Sequence, residues 1–85
     1  MLFITHAEYI EGYSITLTFS DGSQRVVDLA NELFGEVFEP LKDVALFKDF
    51  CVNHDTGTIE WSNGADFAPE FLFEKSVKAE LVISH

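Results

Sequence analysis

His6 and Glu8 stand two apart in Leu2–Ile10, a stretch that reads as a strand, so they share one face. With His54 and Asp55 they have the donor types of a two-histidine-carboxylate metal site. The spacing argues against one. The donors come from distant segments, and no His-x-His, His-Glu-x-x-His or Cys-x-x-Cys pattern occurs. No metal and no cofactor is expected. Cys51 would need a nearby base or cation to act as a thiol nucleophile. Set among apolar strand residues, it reads instead as a buried, inert thiol. Glu60 and Asp66 have the makings of a carboxylate pair for acid–base work. A simpler reading gives Glu60 a solvent face, because it alternates with Ile59 and Trp61 on a strand. Asp66 then bonds the N-terminal amides of a helix that starts at Pro69. Asn63-Gly64 reads as a tight turn needing positive φ, with a functional loop tip as the alternative. There is no glycine-rich phosphate loop and no Ser-His-Asp order with supporting context. No catalytic residue is expected, and the chain does not read as an enzyme.

The elements that would position these groups belong to a small chain. Eighty-five residues make one domain, spanning 1–85. A domain this size buries only roughly 60–65% of the surface its unfolded chain exposes. Nine phenylalanines offset part of that deficit, and a hydrophobic content of 47% is ordinary for a globular fold. A lone cysteine points to a reducing cytoplasm rather than to a disulfide-stapled secreted domain. Leu2-Phe3-Ile4 is too short for a signal peptide, and no apolar run approaches a membrane span. The net charge is −10, from 15 acids against 5 bases. That excess opposes direct nucleic-acid binding and attachment to an anionic membrane. It suits a basic protein partner, and it also keeps a small domain in solution.

Tyr13, Ile15, Leu17 and Phe19 alternate with Ser14, Thr16, Thr18 and Ser20, the period of a half-buried strand. Asp21-Gly22 then signals a hairpin into Ser23–Val27. A two-residue loop puts Ser20 opposite Ser23, Leu17 opposite Val26 and Thr18 opposite Arg25. Carried on, it sets Asp28 against Ile15 on the apolar face, where an unpaired carboxylate is costly. Ending the strand near Val27 removes the conflict and leaves Asp28 to cap a short helix over Leu29–Phe34, closed by Gly35. Asp43 is an N-cap for a helix over Val44–Phe50, with Val44 and Phe47 on one stripe and Leu46 and Phe50 on another. Cys51–Asn53 and Thr58–Trp61 form a second hairpin around His54–Gly57. Pro69 opens a last helix through about Lys75. Beyond it, Val77, Ala79, Leu81 and Ile83 alternate as in a strand, yet Ser76–Leu81 also continues the helix.

The order Asp21-Gly22, Val27-Asp28-Leu29, Phe38-Glu39-Pro40-Leu41-Lys42-Asp43, Phe47, Gly57-Thr58-Ile59-Glu60-Trp61-Ser62-Asn63-Gly64-Ala65-Asp66, then Pro69-Glu70 and Leu72, resembles a family of small bacterial proteins. That family is catalogued as domain of unknown function 2442. The resemblance runs from about residue 3 to residue 74 and leaves 75–85 as a C-terminal extension. Ser62 departs from the proline more usual there. The resemblance implies an α+β domain. Relatives look like stand-alone proteins, or are joined to a helix-turn-helix module, or sit beside another small protein in an arrangement similar to a toxin–antitoxin pair. It implies no catalytic residues.

The expected architecture is α+β: a small, mostly antiparallel sheet of about five strands with two or three short helices packed on one face. The expected role is protein interaction or regulation, with a basic protein as partner. Phe71, Leu72 and Phe73 are consecutive, so one helix face cannot bury all three. An aromatic left partly exposed between Glu70 and Glu74 has the apolar centre and charged rim of an interface, unless residues 76–83 fold back over it. Trp61, Asn63, Asp66, Glu70, Phe71, Phe73 and Glu74 are therefore the candidate contact residues. The alternative is a small-molecule sensing or enzymatic site built from His6, Glu8, His54, Glu60 and Asp66. Self-association through an open edge strand or the tail, giving a homodimer, is compatible with either.

Overall fold

A computed structural model describes residues 1–79. Among the described residues, six strands form two antiparallel sheets. Strands β1 (Ile4–Glu11), β2 (Ser14–Phe19) and β3 (Gln24–Asp28) make a meander, joined on its far side by β6 (Val77–Lys78) in the order β1-β2-β3-β6. Strands β4 (Phe50–Asn53) and β5 (Thr58–Trp61) are a separate hairpin. A 3-10 helix (Glu39–Lys42) and two short α-helices, α1 (Val44–Phe47) and α2 (Pro69–Lys75), complete the fold. The α+β class holds, but the expected five-stranded sheet is a four-stranded sheet plus a hairpin. The two meet where the Ile4 N–H donates to the Gly57 carbonyl at 2.8 Å.

The first hairpin differs from the expected register by one residue. Leu17 faces Arg25, Thr18 faces Gln24 and Ser14 faces Asp28. The loop has three residues, Ser20-Asp21-Gly22. It is closed by the Phe19 N–H on the Ser23 carbonyl (2.9 Å) and the Gly22 N–H on the Phe19 carbonyl (2.9 Å). Gly22 takes φ +88° while Asp21 stays at negative φ, the geometry of a type I turn with a glycine bulge. This register removes the conflict at Asp28, which is exposed opposite Ser14. Asp28 still turns the chain, through its Oδ1 on the Ala30 N–H (2.9 Å), but no helix follows. The segment expected to be helical over Leu29–Phe34 is a single turn, closed by the Glu32 N–H on the Leu29 carbonyl.

The register also puts Arg25 on the inner face at the end of the sheet. Its guanidinium lies 4.1 Å from the centre of the Phe73 ring, and Nε and Nη2 donate to the Oγ (2.5 Å) and carbonyl (2.8 Å) of Ser76. A planar, forked donor is what this stacked, two-point contact requires. It fixes the end of α2 where the chain enters β6. Residues 77–78 are therefore strand, while the helix-or-strand question beyond residue 79 lies outside the described residues.

Asp21 accepts from both the Ser23 hydroxyl (2.7 Å) and the Ser23 N–H (2.9 Å). These bonds, the hydroxyl first, hold its carboxyl below the usual value of 3.8. A depressed folded-state pKa contributes stability above the unfolded value, and that contribution is lost as pH falls through the folded one. Asp21→Asn is therefore expected to flatten the acid side of the stability profile below about pH 4. Urea midpoints measured from neutral pH downward test this, and an unchanged acid slope would refute it.

The core lies between the inner face of the large sheet and everything packed under it. Ile15, Leu17, Phe19 and Val27 from the sheet meet Leu41, Phe47, Ile59, Trp61 and Leu72. Phe47 packs edge-on to Tyr13 at 5.1 Å and Tyr9 at 6.3 Å, and lies 5.7 Å from Trp61. Asp43 caps α1 as expected, with Oδ1 on the Ala45 N–H. The helix stops at Phe47 rather than Phe50, because Phe50 already begins β4 opposite Trp61. The Tyr13 hydroxyl donates to the Lys42 carbonyl and ties the first hairpin to the 3-10 helix.

Candidate functional site

The residues considered for chemistry are dispersed. His6 and Glu8 lie on the outer face of the large sheet, lining an open groove of about 540 Å³ with Thr16, Thr18 and Gln24. His54 and Asp55 are exposed in the β4–β5 turn. Among the described residues, no three His, Cys, Asp or Glu side chains are grouped to hold a metal ion. Cys51 is exposed, contrary to the buried thiol expected: it pairs with Glu60 on the outward side of β4. Glu60 and Asp66 are neighbours through an isolated bridge. Glu60 is half-buried, its carboxylate accepting from Asn53 Nδ2 at 3.1 Å. Asp66 does not cap α2. The N-cap is Ala68, with no side-chain bond, and Pro69 supplies the preorganised first residue.

The α2 face expected to show an unsatisfied aromatic shares its rings with the fold. Phe71 stacks on Phe67 (5.3 Å, 10° between planes), and Phe67 in turn stacks on Phe38 (4.6 Å). Lys75 Nζ sits 5.7 Å from the Phe71 ring centre and 3.9 Å from Glu32. Phe73 lies edge-on to Phe19 at 5.1 Å, under Arg25. Both Phe71 and Phe73 are half-buried, while Glu70, Glu74 and Asp66 are exposed. The aromatic column from Phe38 to Phe71 unites residues far apart in the chain, which local spacing does not reveal.

Trp61 and Asn63 lie together at a different place. A cleft of about 160 Å³ opens between the 3-10 helix, α1 and the loop after β5. Buried Leu41 and Trp61 form its floor, exposed Pro40 and Leu46 its walls, and Asp49 and Asn63 its rim. Of its polar lining, the Trp61 indole and the Asn63 amide are engaged within the fold, while exposed Ser62 and Asp49 make no side-chain hydrogen bond among the described residues. The Trp61 indole N–H donates to the Phe47 carbonyl at 2.6 Å. Asn63 accepts from the Ala65 N–H at 3.1 Å and donates through Nδ2 to the Val37 carbonyl at 2.9 Å. The loop repeats the first hairpin's three-residue geometry: the Trp61 N–H bonds the Ala65 carbonyl, the Gly64 N–H bonds the Trp61 carbonyl, and Gly64 takes φ +92°.

Pro40, Leu41, Leu46 and Asp49 were not singled out from the sequence. A signal was present. The two apolar stripes around α1 cannot both face inward, and the structure buries Phe47 while leaving Leu46 48% exposed. Phe34, Val37 and Val44 are exposed in the same segment, which thus holds four of the eight exposed large apolar side chains among the described residues.

A family model described as a protein of unknown function, DUF2442, matches residues 4–78. No curated protein and no solved structure matches the chain. Among the described residues, no helix is long and apolar enough to cross a membrane. The family match takes in Arg25's partner Ser76 and both residues of β6, so it extends past residue 74 to the end of the large sheet. Covering nearly the whole described fold, it shows that this chain belongs to the DUF2442 family of proteins of unknown function.

Proposed function

We propose that this domain is a bacterial, cytoplasmic interaction or regulatory module that binds a basic protein, in an arrangement similar to a toxin–antitoxin pair. The supporting observation is an acidic surface left without counter-charge. The chain carries a net charge of −10. Among the described residues only Glu32 and Glu39 take part in ion pairs, with Lys75 and Lys42. A surplus of this kind repels itself in the compact state, and a cationic partner relieves that repulsion while being steered to the surface. The small-molecule or enzymatic alternative has less support. His6 and Glu8 share the groove on the large sheet, whereas Glu60 and Asp66 sit together on the small one.

Tagged full-length protein, purified natively from its source cell at low salt, is expected to carry a stoichiometric protein of high isoelectric point that salt releases. A lone monomer by mass in solution would count against this reading. A lone dimer would replace it with self-association.

A further inference from the structure

Resting on the reading of the domain as a module for a basic protein, we propose that the Trp61–Leu46 cleft holds one apolar side chain of a cationic protein segment. Its volume, about 160 Å³, is close to the ~150 Å³ at which an apolar protein cavity admits a benzene-sized group. That is room for one leucine- or phenylalanine-sized side chain. The floor is hydrocarbon and indole, and the indole N–H and both ends of the Asn63 amide are engaged inside the fold. An occupant that brought polar groups down to the Leu41–Trp61 floor would find only hydrocarbon and engaged groups there and would lose hydration, since the free polar groups of the lining, the Ser62 hydroxyl and the Asp49 carboxylate, belong to exposed residues.

The mouth selects for charge. Asp49 lies on the rim, and no cation pairs with it among the described residues. An ionised carboxylate is an acceptor only, so the group beside the apolar anchor is a donor such as Lys or Arg. The same segment exposes Glu36, Glu39 and Asp43 against Lys42, which Glu39 engages, and Lys48. Exposed Leu46 and Val37 lie next to the cleft, Leu46 as its wall and Val37 through its carbonyl bond to Asn63. An apolar centre with a charged rim is the anatomy of a protein contact. The cleft itself takes one group, so the rest of the affinity comes from flanking cations on the acidic surface.

The test uses full-length protein and two defined probes: an oligolysine peptide with one central phenylalanine, and its alanine counterpart. Binding is read at low salt from Trp61 fluorescence and from amide and indole shifts in NMR spectra. The phenylalanine peptide is expected to bind roughly tenfold tighter, since burying such a ring is worth about a factor of ten or more. The largest shifts are expected at Leu41, Leu46, Asn63 and the Trp61 indole N–H. Leu46→Asp, which charges an exposed wall, and Leu46→Trp, which fills the cleft, are each expected to abolish that preference, the alanine peptide binding as before to Leu46→Trp and no more weakly to Leu46→Asp. Asp49→Asn is expected to weaken the phenylalanine peptide severalfold. Equal binding of both peptides with shifts spread over the acidic surface would overturn the cleft as anchor and leave the broader interaction reading standing. A phenylalanine preference that survives both Leu46 variants would do the same. Failure of both peptides to bind would overturn both readings.

Discussion

Phe47→Ala is expected to cost about 3–5 kcal/mol of folding stability, the range for removing a fully buried phenylalanine. Phe47 has no exposed surface, and its ring touches Tyr9, Tyr13 and Trp61. It therefore joins the first hairpin to β5. Truncation leaves a cavity between the sheets and forfeits aromatic contacts worth about 0.5–1.5 kcal/mol each beyond area. A domain of this length has roughly 4–13 kcal/mol to lose. The variant should melt roughly 12–40 °C lower, using about 4–8 °C per kcal/mol for a domain of this size. Leu46→Ala, one residue earlier on the exposed wall of the cleft, should stay within about 0.5 kcal/mol of the parent. Urea melts followed by far-UV dichroism, independent of Trp61, provide the comparison. Similar losses in the two variants would mean that the helix presents the wrong stripe to the core.

That pair of neighbours also shows what the sequence can and cannot reveal. Helical spacing places Phe47 and Leu46 on separate stripes but does not say which one finds a partner. The choice is made by Tyr9, Tyr13 and Trp61, all 14 or more positions away in the chain. Alternation from Tyr13 to Phe19 was enough to locate the first hairpin, and Pro69 and Asp43 marked the starts of α2 and α1. Register was harder, because Asp-Gly serves two-residue and three-residue loops alike. The deciding clue was Asp28. Its misplacement opposite Ile15 in the two-residue register is a reason to shift the pairing by one, not only to end the strand. The shift then turns Arg25 inward, to the Phe73 ring and Ser76, an arrangement with no local signature. The cleft was half legible for the same reason. Trp61 and Asn63 stand in one recognisable run, but Leu41, Leu46 and Asp49 reach them only through tertiary packing.

Gly57→Ala should be the costliest glycine substitution in the β4–β5 half of the fold, at about 2–4 kcal/mol, combining backbone strain with a collision. Gly57 holds φ +75°, and a Cβ built there would lie 2.6 Å from Phe3 Cβ. The clash is with the root of the Phe3 side chain, so turning the ring does not relieve it. Gly57 also carries the carbonyl that accepts from Ile4, the bond joining the hairpin to β1, so any retreat pulls on the junction of the two sheets. Gly64 is the control. Its φ is +92° and nothing lies within 4 Å of the added Cβ, so Gly64→Ala carries the strain alone, about 1–2 kcal/mol. The two contributions at Gly57 separate in a double-mutant cycle. Phe3→Ala keeps the offending Cβ and should not rescue Gly57→Ala. Phe3→Gly removes it and should restore about 1 kcal/mol or more, beyond the sum of the single effects. Equal costs at Gly57 and Gly64, or equal rescue by both Phe3 variants, would show that the strand end at Phe3 yields freely and that the sheet junction is held elsewhere.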